Sequence, residues 1–367
     1  MGSRGVDPAR LARVRAATQL LHRPAVATDP AEIARAIGGA QAQDVYAGPL
    51  TFRSRSRSLT AADIKRARTE DRSLLRTWVM RTTIHLIPTD DAGWWLPLFE
   101  PGIERWSRRR LSQLGMPPGK EDKALRVIAK ALEDEGPLTR PEAVERVVAA
   151  GIDLNQNTRL HVIGLAVTSG IACLGPDRGA MSCLVRREDW LGKPPPFARD
   201  QALAELARRY LGAFAPVTDR DFAYWSGLPL RDVRAGLSSI SAEIEEVRVG
   251  EETMLMPRGA MPRLPRPGQV RMLGNFDTYL LGWKDRSFSV TGEHAIHVKE
   301  GGGGWIRPVI VEDGIVVGGW RSARKGGRIE ISLNLPKRER ERLGASIEAE
   351  VADIARFEGV EATIAQN

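Results

Sequence analysis

Gly136-Pro137-Leu138-Thr139-Arg140-Pro141-Glu142 reads as the opening of a helix that runs through Val148. Outward from it, Asn157 to Thr168 suits a second helix. Ile171 to Leu174, a Pro176-Asp177-Arg178-Gly179 turn and Ser182 to Arg186 then suit a hairpin. The same order returns downstream. Ala215-Pro216-Val217-Thr218-Asp219-Arg220-Asp221 opens a helix ending at Trp225-Ser226-Gly227, Leu230 to Ser238 continues as another, and strands fall at Glu246 to Val249 and Thr253 to Met256. A less regular copy lies upstream. There, apolar residues recur at helical spacing from Pro8 to His22, Thr28-Asp29-Pro30-Ala31-Glu32 starts a short helix, and Thr60 opens a third through Thr69. Leu75 to Ile87 reads as strand. Helix, turn, helix, two-stranded ribbon is the winged-helix plan, and repetition of the unit outweighs any single motif.

After Val270 the texture changes to short β-like runs at Val270–Leu273, Phe288–Thr291, Ala295–Lys299, Trp305–Val311, Ile315–Trp320 and Arg328–Leu333, with a final helix from Pro336 to Phe357. The expected fold is α+β: three tandem winged-helix repeats followed by an antiparallel β-barrel. The expected domains are 8–118, 119–193, 194–265 and 266–367, with residues 1–7 a disordered lead-in.

The chain carries 54 Lys and Arg against 46 Asp and Glu, a formal net charge of +8, which favours a polyanionic partner, above all nucleic acid. Its two cysteines, Cys173 and Cys183, cannot make a four-ligand zinc site and are expected reduced. No window approaches the about 18 apolar residues of a membrane span, so the expected location is the cytoplasm, at the nucleoid.

The chemistry centres on Gly38-Gly39-Ala40-Gln41-Ala42-Gln43-Asp44, where two glycines release the Pro30–Ile37 helix and two amides follow at spacing two. Phosphate-loop, zinc-deaminase and Gly-x-Ser-x-Gly signatures are all absent, and His294 and His297, placed in a strand on opposite faces, make a poor metal pair. Glutamine is neither base nor nucleophile at neutral pH, but its amide can accept and donate hydrogen bonds and so position a water. That suffices only where the leaving group is already activated. An N7-alkylated guanine is such a case, because its ring carries a positive charge. Next to this turn, Arg53, Arg55 and Arg57 alternate. In a strand they would share one face and could grip phosphates.

Over nearly its whole length the chain resembles the bacterial winged-helix crosslink-repair DNA glycosylases, in their AlkZ-like, Gln-x-Gln subclass. The resemblance rests on Gln41-Ala-Gln43-Asp44, Trp78-Val-Met-Arg-Thr-Thr-Ile-His85, Leu273-Gly-Asn-Phe-Asp277-Thr-Tyr-Leu280, Trp283-Lys-Asp-Arg286-Ser287, Trp305-Ile-Arg-Pro308 and Asp313-Gly314 through Trp320-Arg321. It implies catalytic roles for Gln41 and Gln43 and a fold C-shaped around a basic channel. It further implies a monomeric enzyme without metal or cofactor that excises bulky N7-guanine adducts and unhooks interstrand crosslinks in double-stranded DNA, as self-resistance to an alkylating natural product. One departure is Thr82, where the family segment Met-Arg-Gly-Thr-x-His has glycine.

Arg81, His85 and Trp305 join the arginine stripe as candidate DNA contacts, with Glu300 to Trp305 a flexible hairpin able to reach into a groove. Asp277 and Arg286 are expected to pair with each other, Trp94, Trp95 and Trp106 to be core, and Asp44 to cap a turn. The competing reading is a non-enzymatic tandem winged-helix transcription regulator, which would bind one undamaged site tightly rather than release bases.

Overall fold

The computed structural model describes residues 5–44, 46–179, 181–193, 197–298 and 305–365. They gather into two compact units, one formed by residues 1–65 with 203–367, the other by residues 66–202. The first expected segment, 8–118, therefore contributes to both.

In unit 66–202, four antiparallel strands lie in the order Thr83–Pro88, Leu74–Val79, Ala172–Arg178, Met181–Arg186. The stretch expected as one strand, Leu75–Ile87, is a hairpin, because Met80–Thr82 form a tight turn that pairs Val79 with Thr83. Thr139 and Glu142 cap Arg140–Ala149 reciprocally, Thr139 Oγ1 accepting from the Glu142 amide and the Glu142 carboxylate accepting from the Thr139 amide. That helix packs with Lys120–Glu135 and Gln156–Thr168 around Ile128, Val147, Leu165 and Leu184. Each such side chain contributes about 1.5–3 kcal/mol by leaving water. Ala92–Gln113, which the sequence did not announce, carries Pro97 and Pro101 within it. Trp94 and Trp95 are buried there as expected, whereas Trp106 is 46% exposed.

The larger unit holds Leu11–Thr18, Pro30–Ala36, Ala47–Arg53, the helix Asp219–Ser226 capped by Thr218, and Leu230–Ser239. Gly5 and Val6, expected to be disordered, instead form a parallel strand against Arg248 and Val249 beside the Ile244–Val249 and Glu252–Pro257 hairpin. Tyr210, Phe214, Phe222, Trp225 and Trp283 form a buried aromatic cluster. Two of its polar tips find backbone partners: Tyr210 donates to Gly282 O at 2.9 Å and Trp283 Nε1 to Phe214 O at 3.1 Å.

The same unit ends in a curled half-barrel ordered Ala362–Ile364, Arg328–Asn334, Ile315–Lys325, Val309–Glu312, Val270–Leu273. Lys337–Glu358 covers one face through Leu343, Ile347, Val351 and Ile354. Ala295–Val298, expected as strand, is a helical turn following a 3-10 turn at Gly292–His294, so His294 and His297 lie on neighbouring turns with ring centroids 5.8 Å apart. Among the described residues no group of three or more His, Cys, Asp or Glu could hold a metal ion, and no helix is long and apolar enough to cross a membrane.

Thr82 sits at φ 62° and Arg81 at φ 54°, both left-handed. A β-branched residue is strained there, by about 1–2 kcal/mol, against about 0.5–1 kcal/mol for the lost chain entropy of glycine. Thr82→Gly is expected to raise the thermal unfolding midpoint of unit 66–202, a gain of about 0.5 kcal/mol or more. A lower midpoint in calorimetry would mean that the turn carries no such strain.

Candidate functional site

The glutamine turn begins where Asp29 caps Pro30–Ala36, accepting from the Glu32 amide at 3.0 Å. Gly38 and Gly39, at φ 75° and 82°, then reverse the chain. A side chain at Gly38 is doubly excluded, because its Cβ would stand 3.0 Å from Phe214 and 3.1 Å from Trp225. Gln41 is buried and Gln43 exposed, so the pair spans the surface. Asp44 closes the turn, as expected. Its Oδ1 accepts from the amides of Tyr46 at 2.9 Å and Ala47 at 3.2 Å, opening Ala47–Arg53. Gly48, on that helix, lets it approach so closely that a Cβ would meet Ala42 Cβ at 3.0 Å.

A second strap comes from the Leu273–Leu280 motif. Asn275 Nδ2 donates to Asp44 Oδ2 at 3.0 Å, and Thr278 Oγ1 donates to Gly39 O at 3.2 Å. The two bonds bracket Gln41 and Gln43. Asn275 stood inside a motif of the sequence without a role; only its partner, distant in sequence, gives it one.

The arginine stripe is corrected. Residues 51–53 end a helix instead of running as strand, and Arg53 and Arg55 are fully buried. Arg55 makes a two-pronged ion pair with Asp277, at 2.9 and 2.8 Å, and donates to Gln19 Oε1 at 3.1 Å and Thr51 O at 2.9 Å. Gln19 passes the link on, donating to Ala213 O at 2.8 Å. Arg53 pairs with Glu350 at 2.9 Å and Asp353 at 3.0 Å and donates to Met272 O. Engaged in this way, neither guanidinium can reach a phosphate. Arg57 is exposed, its Nε donating to Arg23 O at 3.0 Å, and remains the member of the stripe that faces solvent. The expected Asp277–Arg286 pair does not form either, since Arg286 donates to Leu280 O and to the Tyr224 hydroxyl.

Arg23 and Arg271 join Arg53 around Glu350, with Arg23 at 2.9 Å and Arg271 at 3.6 Å. Burial lowers Arg23 to about 10. Burial alone would raise the Glu350 carboxyl, but Arg53, Arg23 and Arg271 outweigh it and hold it below the ordinary carboxylate range. Glu350 also accepts from the Met272 amide at 3.0 Å, so one carboxylate binds the helix after the turn, the half-barrel edge and Lys337–Glu358 together.

Of the two candidates in unit 66–202, His85 is buried, with Nδ1 3.2 Å from Thr83 O. Burial outweighs that bond and lowers the imidazole to about 3, so the ring is neutral at physiological pH and offers no cationic contact to DNA. Arg81 is half-buried on the strained turn. In the larger unit, Trp305 is 42% exposed and meets Phe276 edge-on at 4.7 Å. The remainder of the expected Glu300–Trp305 hairpin lies outside the described residues. Trp305 lines a groove of about 550 Å³ with Asn275, His297, Arg307, Arg321 and Ser332.

The turn thus carries a buried-to-exposed amide pair held by two side-chain hydrogen bonds, in a chain of net charge +8. Comparison with known proteins gives the class: the family model for DNA glycosylases of the AlkZ-like kind matches residues 34–357. An interstrand DNA cross-link repair glycosylase from Streptomyces sahachiroi is 32% identical over 310 residues, covering 79% of this chain and 80% of the relative. The solved structure of the Streptomyces sahachiroi DNA glycosylase AlkZ superimposes with a TM-score of 0.79 at 26% identity, over 98% of this chain and 100% of that one. The chain belongs to the AlkZ-like DNA glycosylase family.

Removing a buried partner strands the charge it neutralised, which costs about 3–5 kcal/mol. Glu350→Gln is therefore expected to lose stability of that order at neutral pH by denaturant unfolding. Because the folded carboxyl is depressed, the stabilisation is complete above the unfolded carboxyl pKa of about 4.3 and disappears as pH falls through the folded value. The gap between variant and parent should accordingly close in acid. An equal gap at neutral and strongly acidic pH would contradict the network.

Proposed function

We propose that this glycosylase hydrolyses the N-glycosidic bond of cationic N7-alkylguanine in double-stranded DNA, including guanines joined in interstrand crosslinks. Gln41 and Gln43 are the groups that orient water and stabilise the sugar cation. The observation that carries this is the turn itself: two neutral amides fixed between the Asp44–Asn275 and Gly39–Thr278 hydrogen bonds. A rigid amide pair can hold a water without having to deprotonate it.

The balance is as follows. The C1′–N9 bond breaks and its electron pair neutralises the positively charged imidazole ring of the alkylated base. The water oxygen bonds to C1′, and the water's surplus proton passes to solvent. The products are a neutral N7-alkylguanine and an abasic site. No lysine is assigned as an amine nucleophile, so strand cleavage is not part of the reaction. No step in this scheme calls for a metal or cofactor.

Arg57, Arg81 and Trp305 are the candidates left for DNA contact, Arg53, Arg55 and His85 having been taken up by the interior. The recurring helix–helix–hairpin units are read as tandem winged helices that bind duplex without sequence preference, through phosphates. The enzyme would act as a monomer at the nucleoid. Its biological role would be protection against an alkylating natural product, a reading supported by the relative's being a cross-link repair glycosylase and by the large groove beside the turn.

The test is a duplex bearing N7-methylguanine or an N7-linked crosslink, incubated with purified protein and assayed for the released base and the abasic site. Gln41→Ala with Gln43→Ala is expected to reduce single-turnover release by about a hundredfold or more. Full activity in the double variant would show that the chemistry lies elsewhere.

A further inference from the structure

The groove lined by Trp305 lies on the face of the half-barrel opposite its core. On the core side, Trp320, Ile329 and Ile331 pack under Lys337–Glu358. On the other, Arg321 pairs across the strands with Ser332 and Gly319 with Asn334. Gly319 keeps this face open: a Cβ there would lie 3.5 Å from His297 Nδ1 and 3.6 Å from Pro308 O, so any larger side chain would project into the space.

The lining has a definite chemistry. Trp305, braced edge-on by Phe276, offers an indole surface. Arg307 and Arg321 bring two guanidinium groups, and Arg321 makes no ion pair among the described residues. Ser332 and Asn275 add hydroxyl and amide donors. An indole beside cations and neutral donors suits a planar ring that carries acceptor oxygens. The volume, about 550 Å³, belongs with sites for whole small molecules and far exceeds what a methyl substituent fills.

The groove also adjoins the chemistry. Asn275 lines it and donates to Asp44, the residue after Gln43, at 3.0 Å. We infer that this groove is a specificity site that receives the arm carried on N7 of the damaged guanine, selecting arms that contain an aromatic ring with a carboxylate or similar acceptor oxygens. This rests on the proposed activity toward N7-alkylguanine. The arm leaves N7 on the imidazole edge of the base, away from the sugar. It therefore needs a receptacle beside the amide pair and not within it.

The experiment is equilibrium binding to three otherwise identical duplexes, in which a 2′-fluoroarabino sugar at the probed nucleotide blocks glycosidic cleavage. They carry guanine, N7-methylguanine or N7-(4-carboxybenzyl)guanine at one position. The parent protein is expected to bind the carboxybenzyl duplex at least tenfold more tightly than either of the others. Ser332→Trp, an exposed strand position, fills the groove and should abolish that preference while unmodified duplex binds within twofold of parent. Trp305→Ala should weaken the preference in the same direction, with circular dichroism and melting temperature checking the fold of both. A parent without the preference, or a Ser332→Trp protein that keeps it, overturns the assignment. So does an equal loss on all three duplexes in Ser332→Trp, which would make the groove a contact for the DNA backbone. Base release measured separately distinguishes the two proposals. An intact binding preference with no release in the parent protein would remove the glutamine mechanism and leave the groove standing.

Discussion

Asp277 receives both terminal nitrogens of Arg55 in the interior, at 2.9 and 2.8 Å, and the arrangement of the glutamine turn follows from that pair. Its Oδ1 also accepts from the Tyr279 amide at 2.9 Å, fixing the Leu273–Leu280 segment in the shape that presents Asn275 and Thr278. Those two side chains hold Asp44 and Gly39, on either side of Gln41 and Gln43. Arg53, two residues before Arg55, is anchored to Glu350 and Asp353. Two arginines with one residue between them, on separate carboxylates, fix the end of Ala47–Arg53 in both position and rotation, as one pair alone would not. Such charges are a poor source of net stability, since desolvation offsets much of their attraction. Their use here is placement.

Placement is what amide chemistry requires. An amide cannot ionise to compensate for a badly set water, so its contribution depends on geometry held before the substrate arrives. A turn strapped through hydrogen bonds to a buried ion-pair network supplies that. The strained Met80–Thr82 turn of the other unit is a second place where this chain spends local stability, and there Thr82 stands in a conformation that glycine would occupy more easily.

Much of this was legible locally. The caps at Thr139 and Thr218, the glycine release at Gly38-Gly39, the strands at Val270–Leu273, Ile315–Trp320 and Arg328–Leu333 and the last helix all write their signals within a few residues, whereas Phe288–Thr291, read as strand, is turn. Arg53-Ser-Arg55-Ser-Arg57 misled because its alternation fits a strand face, whereas the partners that bury it lie at 277, 350 and 353. No local pattern reports a carboxylate so far along the chain. Ala92–Gln113 was hidden by Pro97 and Pro101, which locally argue against a helix that packing against Gln156–Thr168 sustains. The division into two units was likewise obscured, because one of them is discontinuous in sequence.

The central claim is that two neutral amides suffice because the lesion brings its own positive charge. The most direct measurement compares single-turnover release of N7-methylguanine with release of O6-methylguanine, a neutral base of the same mass, at the same position of one duplex. The account predicts release of the cationic base with an abasic site left behind, and release of the neutral base at the background rate. Comparable release of both would contradict it, since an enzyme able to expel a neutral guanine must protonate the base, and the two glutamines cannot.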